Sequence, residues 1–120
     1  MTSSEPEPES AAEPRLQEWA HAHRDALADY LLEFVEMETP TENPETFDDC
    51  FEWLAEDFRE LGLETERVPG EETGGRLEAW TPGRDDADER QLVIGHADTV
   101  WPLGTVEDDP PEIRDGVLEG

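Results

Sequence analysis

At 120 residues the chain is long enough for one domain with a modest core. It carries 34 acidic residues against 8 basic ones, all arginine, and its net charge of −26 excludes nucleic acid and anionic membrane as partners. A single cysteine, Cys50, rules out an internal disulfide framework, and no run approaches the roughly 20 apolar residues of a membrane span.

Low hydropathy with high net charge is also the signature of disorder. Here the apolar residues fall in periodic segments instead, which argues for a folded middle. The acidic surface then reads as an adaptation to high salt, where screening removes the self-repulsion. The N-terminus shows no basic region followed by an apolar run, so a soluble cytoplasmic protein is expected.

Residues 1–14, rich in Ser, Glu, Pro and Ala, are expected to form a disordered acidic tail. From Arg15, apolar positions at Leu16, Ala20, His23, Leu27, Tyr30 or Leu31, and Phe34 recur at three- and four-residue steps, predicting an amphipathic helix to about Met37. His21 and His23 point to nearly opposite sides of such a helix, so one solvated and one half-buried histidine is expected rather than a metal pair. The helix breaks at Glu38-Thr39-Pro40-Thr41. Asn43 is then a predicted N-cap, with Pro44 at the first position of a second helix. Phe47, Phe51, Leu54, Phe58 and Leu61 give that helix its apolar stripe, Cys50 sits beside it, and Gly62 supplies the stop.

Leu63 to Val68 alternates as a half-exposed strand, and Arg76 to Thr81 as a second, across a loop in which Gly74-Gly75 reads only as a turn. After an acidic connector, Leu92-Val93-Ile94 predicts a buried strand ending at Gly95. Asp108-Asp109-Pro110-Pro111 is a turn, and Ile113 to Glu119 predicts a hairpin about Asp115-Gly116. The expected class is α/β, with two N-terminal helices packed on the start of a mixed sheet.

The chemistry concentrates where the buried strand would end. His96 and Asp98 stand one residue apart, and on extended backbone residues i and i+2 face the same side. The carboxyl edge of an open α/β sheet is where ligands bind. A neutral imidazole is a common metal ligand, and a neighbouring carboxylate fixes its tautomer through the other ring nitrogen. The plain alternative is a strand-end histidine with a hydrogen-bonded aspartate.

His96-Ala97-Asp98-Thr99-Val100-Trp101-Pro102 after an apolar run resembles the first metal-site motif of the M20 family of zinc-dependent peptidases and amidohydrolases, in its glutamate carboxypeptidase-like branch. Thr39-Pro40-Thr41 is similar to that family's turn between its first two helices, and Leu61-Gly62-Leu63-Glu64 to its helix-to-strand step. Leu103-Gly104-Thr105 continues the metal motif as in that branch. Asp115 to Gly120 resembles a later hairpin, although Glu119 stands where an aromatic residue is frequent. The resemblance spans residues 15–120, as the N-terminal part of an incomplete catalytic domain.

The resemblance implies that His96 is a ligand of one zinc in a two-zinc site, where cobalt or another divalent metal could substitute. Asp98 is implied as the catalytic-site carboxylate that orients this imidazole. The implied reaction is metal-assisted hydrolysis of an amide or peptide bond, on a small peptide or N-acyl amino acid. The family's remaining ligands and its general-base glutamate match nothing in this sequence. The 120 residues alone are therefore expected to be inactive, with a homodimer expected only of a full-length enzyme. Two other readings stay open: an aminopeptidase with related metal chemistry, and a non-catalytic acidic relic or interaction module that keeps the family's opening layer.

Overall fold

A computed structural model describes residues 9–120. Those residues form a mixed assembly of helices and two small antiparallel sheets. Residues 1–8 of the expected tail lie outside the described residues. The rest of that tail is corrected: Glu9 to Pro14 belong to helix α1 (Glu9–Ala22). Ala11, Ala12 and Glu13 are good helix formers, and acidic residues suit a first turn.

The single helix expected to Met37 is two. Helix α2 (Arg24–Glu36) follows α1 across His23, whose φ of −106° and ψ of 12° leave the helical region. The His23 Nδ1 lies 2.8 Å from the Trp19 carbonyl, and its ring stacks on the Trp19 indole at 4.2 Å. Side-chain competition for a helical carbonyl is a known source of bends. Both His21 and His23 are exposed, so the half-buried histidine is not found. Leu16, Trp19, Leu27 and Leu31 are exposed as well, so the stripe along α1 and α2 stays largely uncovered.

Helix α3 (Phe47–Glu60) is the organising element. Asn43 does not cap it with its side chain. Residues Pro44–Thr46 form a short 3-10 turn, and the Asn43 amide donates to Glu45 Oε1 at 3.1 Å. Phe47, Cys50, Phe51 and Ala55 of α3 are buried and make the core. The buried line therefore runs one face round from the predicted stripe, with Leu54 and Phe58 half-buried and Leu61 exposed. Burial pushes the Cys50 thiol above its ordinary pKa, as expected of a small core residue.

Gly62 ends α3 as predicted, at a φ of +91° that glycine adopts without a Cβ clash. The Gly62 N–H donates to Arg59 O and the Leu63 N–H to Phe58 O, both at 3.0 Å. This is the paired bond pattern of a Schellman stop. The chain then turns directly into β1 (Glu64–Val68), which pairs antiparallel with β2 (Arg76–Trp80), from Glu64 opposite Trp80 to Val68 opposite Arg76.

Arg67 fastens this hairpin to α3. Its guanidinium lies 4.6 Å from the Phe51 ring centre, donates to Gly74 O at 2.5 Å and Val68 O at 2.8 Å, and reaches Asp48 at 3.2 Å. Of the helices expected on the sheet, α3 packs against both β1 and β2; α2 meets α3 through Tyr30 and Phe34, whose rings lie 4.6 and 5.6 Å from that of Trp53.

The predicted buried strand at Gln91–Gly95 is the main correction. This stretch pairs with nothing, and Leu92, Val93 and Ile94 are 83, 93 and 81 % exposed. A run apolar on both faces becomes a strand only between hydrogen-bonding neighbours and under covering helices. Among the described residues neither is present, so the expected mixed sheet is replaced by two separate two-stranded ones. A one-turn helix, α4 (Thr105–Asp108), is not signalled by the sequence. The hairpin of β3 (Glu112–Arg114) and β4 (Val117–Glu119) is as predicted. Asp115 and Gly116 take φ of 52° and 79°, the paired positive values of a tight two-residue turn.

No helix among the described residues is long and apolar enough to cross a membrane. Several large apolar side chains among the described residues stay exposed, Val100 and Trp101 among them.

Candidate metal centre

His96 and Asp98 meet as the sequence predicts, although on a loop rather than a strand end. The His96 Nδ1 lies 2.9 Å from Asp98 Oδ1. An ionised carboxylate only accepts, so the proton of this bond sits on Nδ1 and the lone pair of the neutral ring on Nε2. The His96 side chain is 83 % exposed and that of Asp98 41 %. The ring bearing the free nitrogen is thus largely in solvent, while its carboxylate partner is half-exposed.

The loop holding this pair rests on the break between α2 and α3. Thr99 N donates to Thr39 O at 2.9 Å, and Thr41 N to Thr99 O at 3.1 Å, forming a short parallel bridge of Pro40 with Thr99. The Thr39 hydroxyl donates to Ala97 O at 2.5 Å from a side chain that is 2 % exposed. The Thr41 hydroxyl donates to Asp98 Oδ2 at 2.8 Å. That bond, followed by the one from His96, holds the Asp98 carboxyl below its usual range, because both favour the charged form.

Glu38 secures the far end of the same loop. Its carboxylate accepts the Gly104 N–H at 3.0 Å from each oxygen and the Val106 N–H at 2.9 Å. These backbone donors hold the Glu38 carboxyl below its ordinary value. They are the orphan amides at the start of α4, and a carboxylate is the natural group to satisfy them.

Sequence reasoning missed Glu38, Thr39 and Thr41 as site residues. The one available signal was a cluster of hydrogen-bonding side chains at a helix break, where solvent would otherwise serve. Nothing in the sequence joins them to partners 57 to 68 positions away.

The dyad is part of the lining of a groove of about 880 Å³. Phe51, Leu54 and Phe58 of α3 line it with Leu77 and Ala79 of β2, and with Leu92 and Val93. The donor set suits a borderline metal such as zinc in one respect, since it offers an exposed imidazole nitrogen with its orienting carboxylate in place. It does not complete a site. Among the described residues no three His, Cys, Asp or Glu side chains converge to hold an ion, whereas catalytic zinc ordinarily takes three protein ligands.

Compared with protein-family models, with curated proteins and with solved structures, the chain finds no match.

Proposed function

We propose that this chain is the N-terminal layer of a zinc-dependent hydrolase that cleaves peptide or amide C–N bonds, with His96 as one metal ligand through Nε2. The observation that carries the reading is the His96–Asp98 bond at 2.9 Å, with both carboxylate oxygens engaged and Nε2 left outward. A carboxylate behind a histidine fixes the tautomer and raises the basicity of the ligating nitrogen. Asp98 therefore acts through His96. When bound, the metal supplies Lewis acidity, polarising a carbonyl and lowering the pKa of water.

Two further features support the reading. The motif and its flanks resemble the opening of the M20 family, in the sequence order helix, Glu-Thr-Pro-Thr break, helix, strand, loop, strand, acidic connector, apolar run and metal motif, although that apolar run forms no strand here. The uncovered groove and the bare Leu92-Val93-Ile94 run are surfaces that additional strands and helices of a larger catalytic domain would bury. The remaining ligands and the general base are then supplied by that larger domain, and the 120 residues alone are inactive. The substrate class is a small peptide or an N-acyl amino acid.

The test is hydrolysis of dipeptides and N-acyl amino acids by the intact natural protein, before and after chelation. Activity that disappears with chelator, returns with zinc and is absent in His96→Ala supports the assignment. Chelator-resistant activity refutes it. An inert protein that takes up no zinc leaves the acidic interaction module in its place.

A further inference from the structure

We propose that Thr41 is a positioning residue for His96, its hydroxyl holding the second oxygen of Asp98 so that the carboxylate cannot swing and the imidazole keeps its proton on Nδ1. The proposal deepens the hydrolase reading and rests on it for its functional meaning.

A carboxylate tied through one oxygen can still turn about its Cβ–Cγ bond, since that torsion is broad. Asp98 is tied through both: His96 Nδ1 at 2.9 Å on Oδ1 and Thr41 Oγ1 at 2.8 Å on Oδ2. The hydroxyl has a single proton, and its other acceptor in reach, Thr99 O, is farther away at 3.2 Å. The charged acceptor at shorter distance takes the stronger bond.

Thr41 is itself held. Its N–H is bonded to Thr99 O, and the preceding Pro40 is buried with its φ fixed by the ring. Its β-branched side chain has restricted χ1 freedom. The hydroxyl is thus delivered by a rigid turn to an otherwise half-exposed carboxylate.

The consequence for His96 is specific. A free neutral imidazole favours the proton on Nε2, which would leave the outward nitrogen unable to bind a metal. The Asp98 bond reverses that preference only while the carboxylate stays in place. Thr41 is what keeps it there.

The tautomer is read directly from long-range proton–nitrogen NMR spectra of the ¹⁵N-labelled intact protein at one mildly alkaline pH. His96→Gln assigns the signal among the three histidines of this sequence. The wild type is expected to show Nδ1–H. Thr41→Val should lower the ratio of Nδ1–H to Nε2–H roughly 3- to 10-fold, the effect of one net hydrogen bond, and Thr41→Ser should restore it. A wild-type ring protonated on Nε2 overturns the proposal without any variant, which covers a valine variant that fails to fold. A valine variant with the wild-type ratio overturns it too, as does a serine variant that behaves like valine. Zinc added to the same samples separates the two claims: zinc that leaves the His96 Nε2 signal unmoved refutes the hydrolase reading, whatever the tautomer shows.

Discussion

Replacing Thr39 by valine tests whether the interhelical break really holds the His96 loop. Thr39 is 2 % exposed, and its hydroxyl donates to Ala97 O at 2.5 Å, one residue from His96. Valine keeps the shape but removes the donor, so the part-buried Ala97 carbonyl loses a partner. That costs about 1–3 kcal/mol, because an unmade buried bond forfeits desolvation as well as the bond. The added methyl recovers at most about 0.8 kcal/mol of apolar burial. A net loss of about 1–2 kcal/mol follows, which for a domain near this size lowers Tm by roughly 4–8 °C.

The assay is thermal unfolding in molar salt, where the charge of −26 is screened. Amide exchange at Thr99 is followed in parallel, because its N–H bonds to Thr39 O. The account expects the Tm to fall, Thr99 exchange to quicken, and Thr39→Ser to retain most of the stability. A valine variant within about 0.5 kcal/mol of wild type, the scatter of ordinary surface substitutions, would refute the idea that this break carries the loop.

Two other predictions concern the frame around the site. A Cβ at Gly74 would sit 2.4 Å from the Phe47 ring, so Gly74→Ala forces the β1–β2 loop off α3. It should cost about 1–3 kcal/mol in denaturant unfolding, and a variant as stable as wild type would show that the loop does not pack there. Glu38→Gln tests the α4 clamp through pH. The folded carboxyl of Glu38 titrates below its ordinary value, so its contribution is present above the usual glutamate range and is lost as pH falls through the lowered value. Wild type should therefore be the more stable at neutral pH, with the two proteins converging in acid; a gap that persists unchanged at low pH would contradict the clamp.

Local physics made much of the fold legible. The Gly62 stop, the strands β1 and β2, and the Asp115-Gly116 turn with its hairpin depend on residues close to one another in sequence. The Gln91–Gly95 strand was not legible as it stands, because an apolar run states a preference for burial and cannot supply the neighbours that provide it. The break at His23 escaped for a different reason: helical periodicity continues through it, and the competing Trp19 carbonyl is visible only in three dimensions. At the site, the i, i+2 spacing was enough to join His96 to Asp98. The Glu38, Thr39 and Thr41 contacts close long loops, which no spacing rule encodes.

The central claim is that His96 Nε2 is a zinc ligand. Its most direct test is a crystal structure of the intact protein grown with zinc, with anomalous data at the zinc edge. The account predicts a peak roughly 2.0–2.1 Å from His96 Nε2, with the Nδ1 bond to Asp98 unbroken. A zinc-loaded protein with no peak at that nitrogen, or with the metal on Nδ1 and Asp98 displaced, would contradict it.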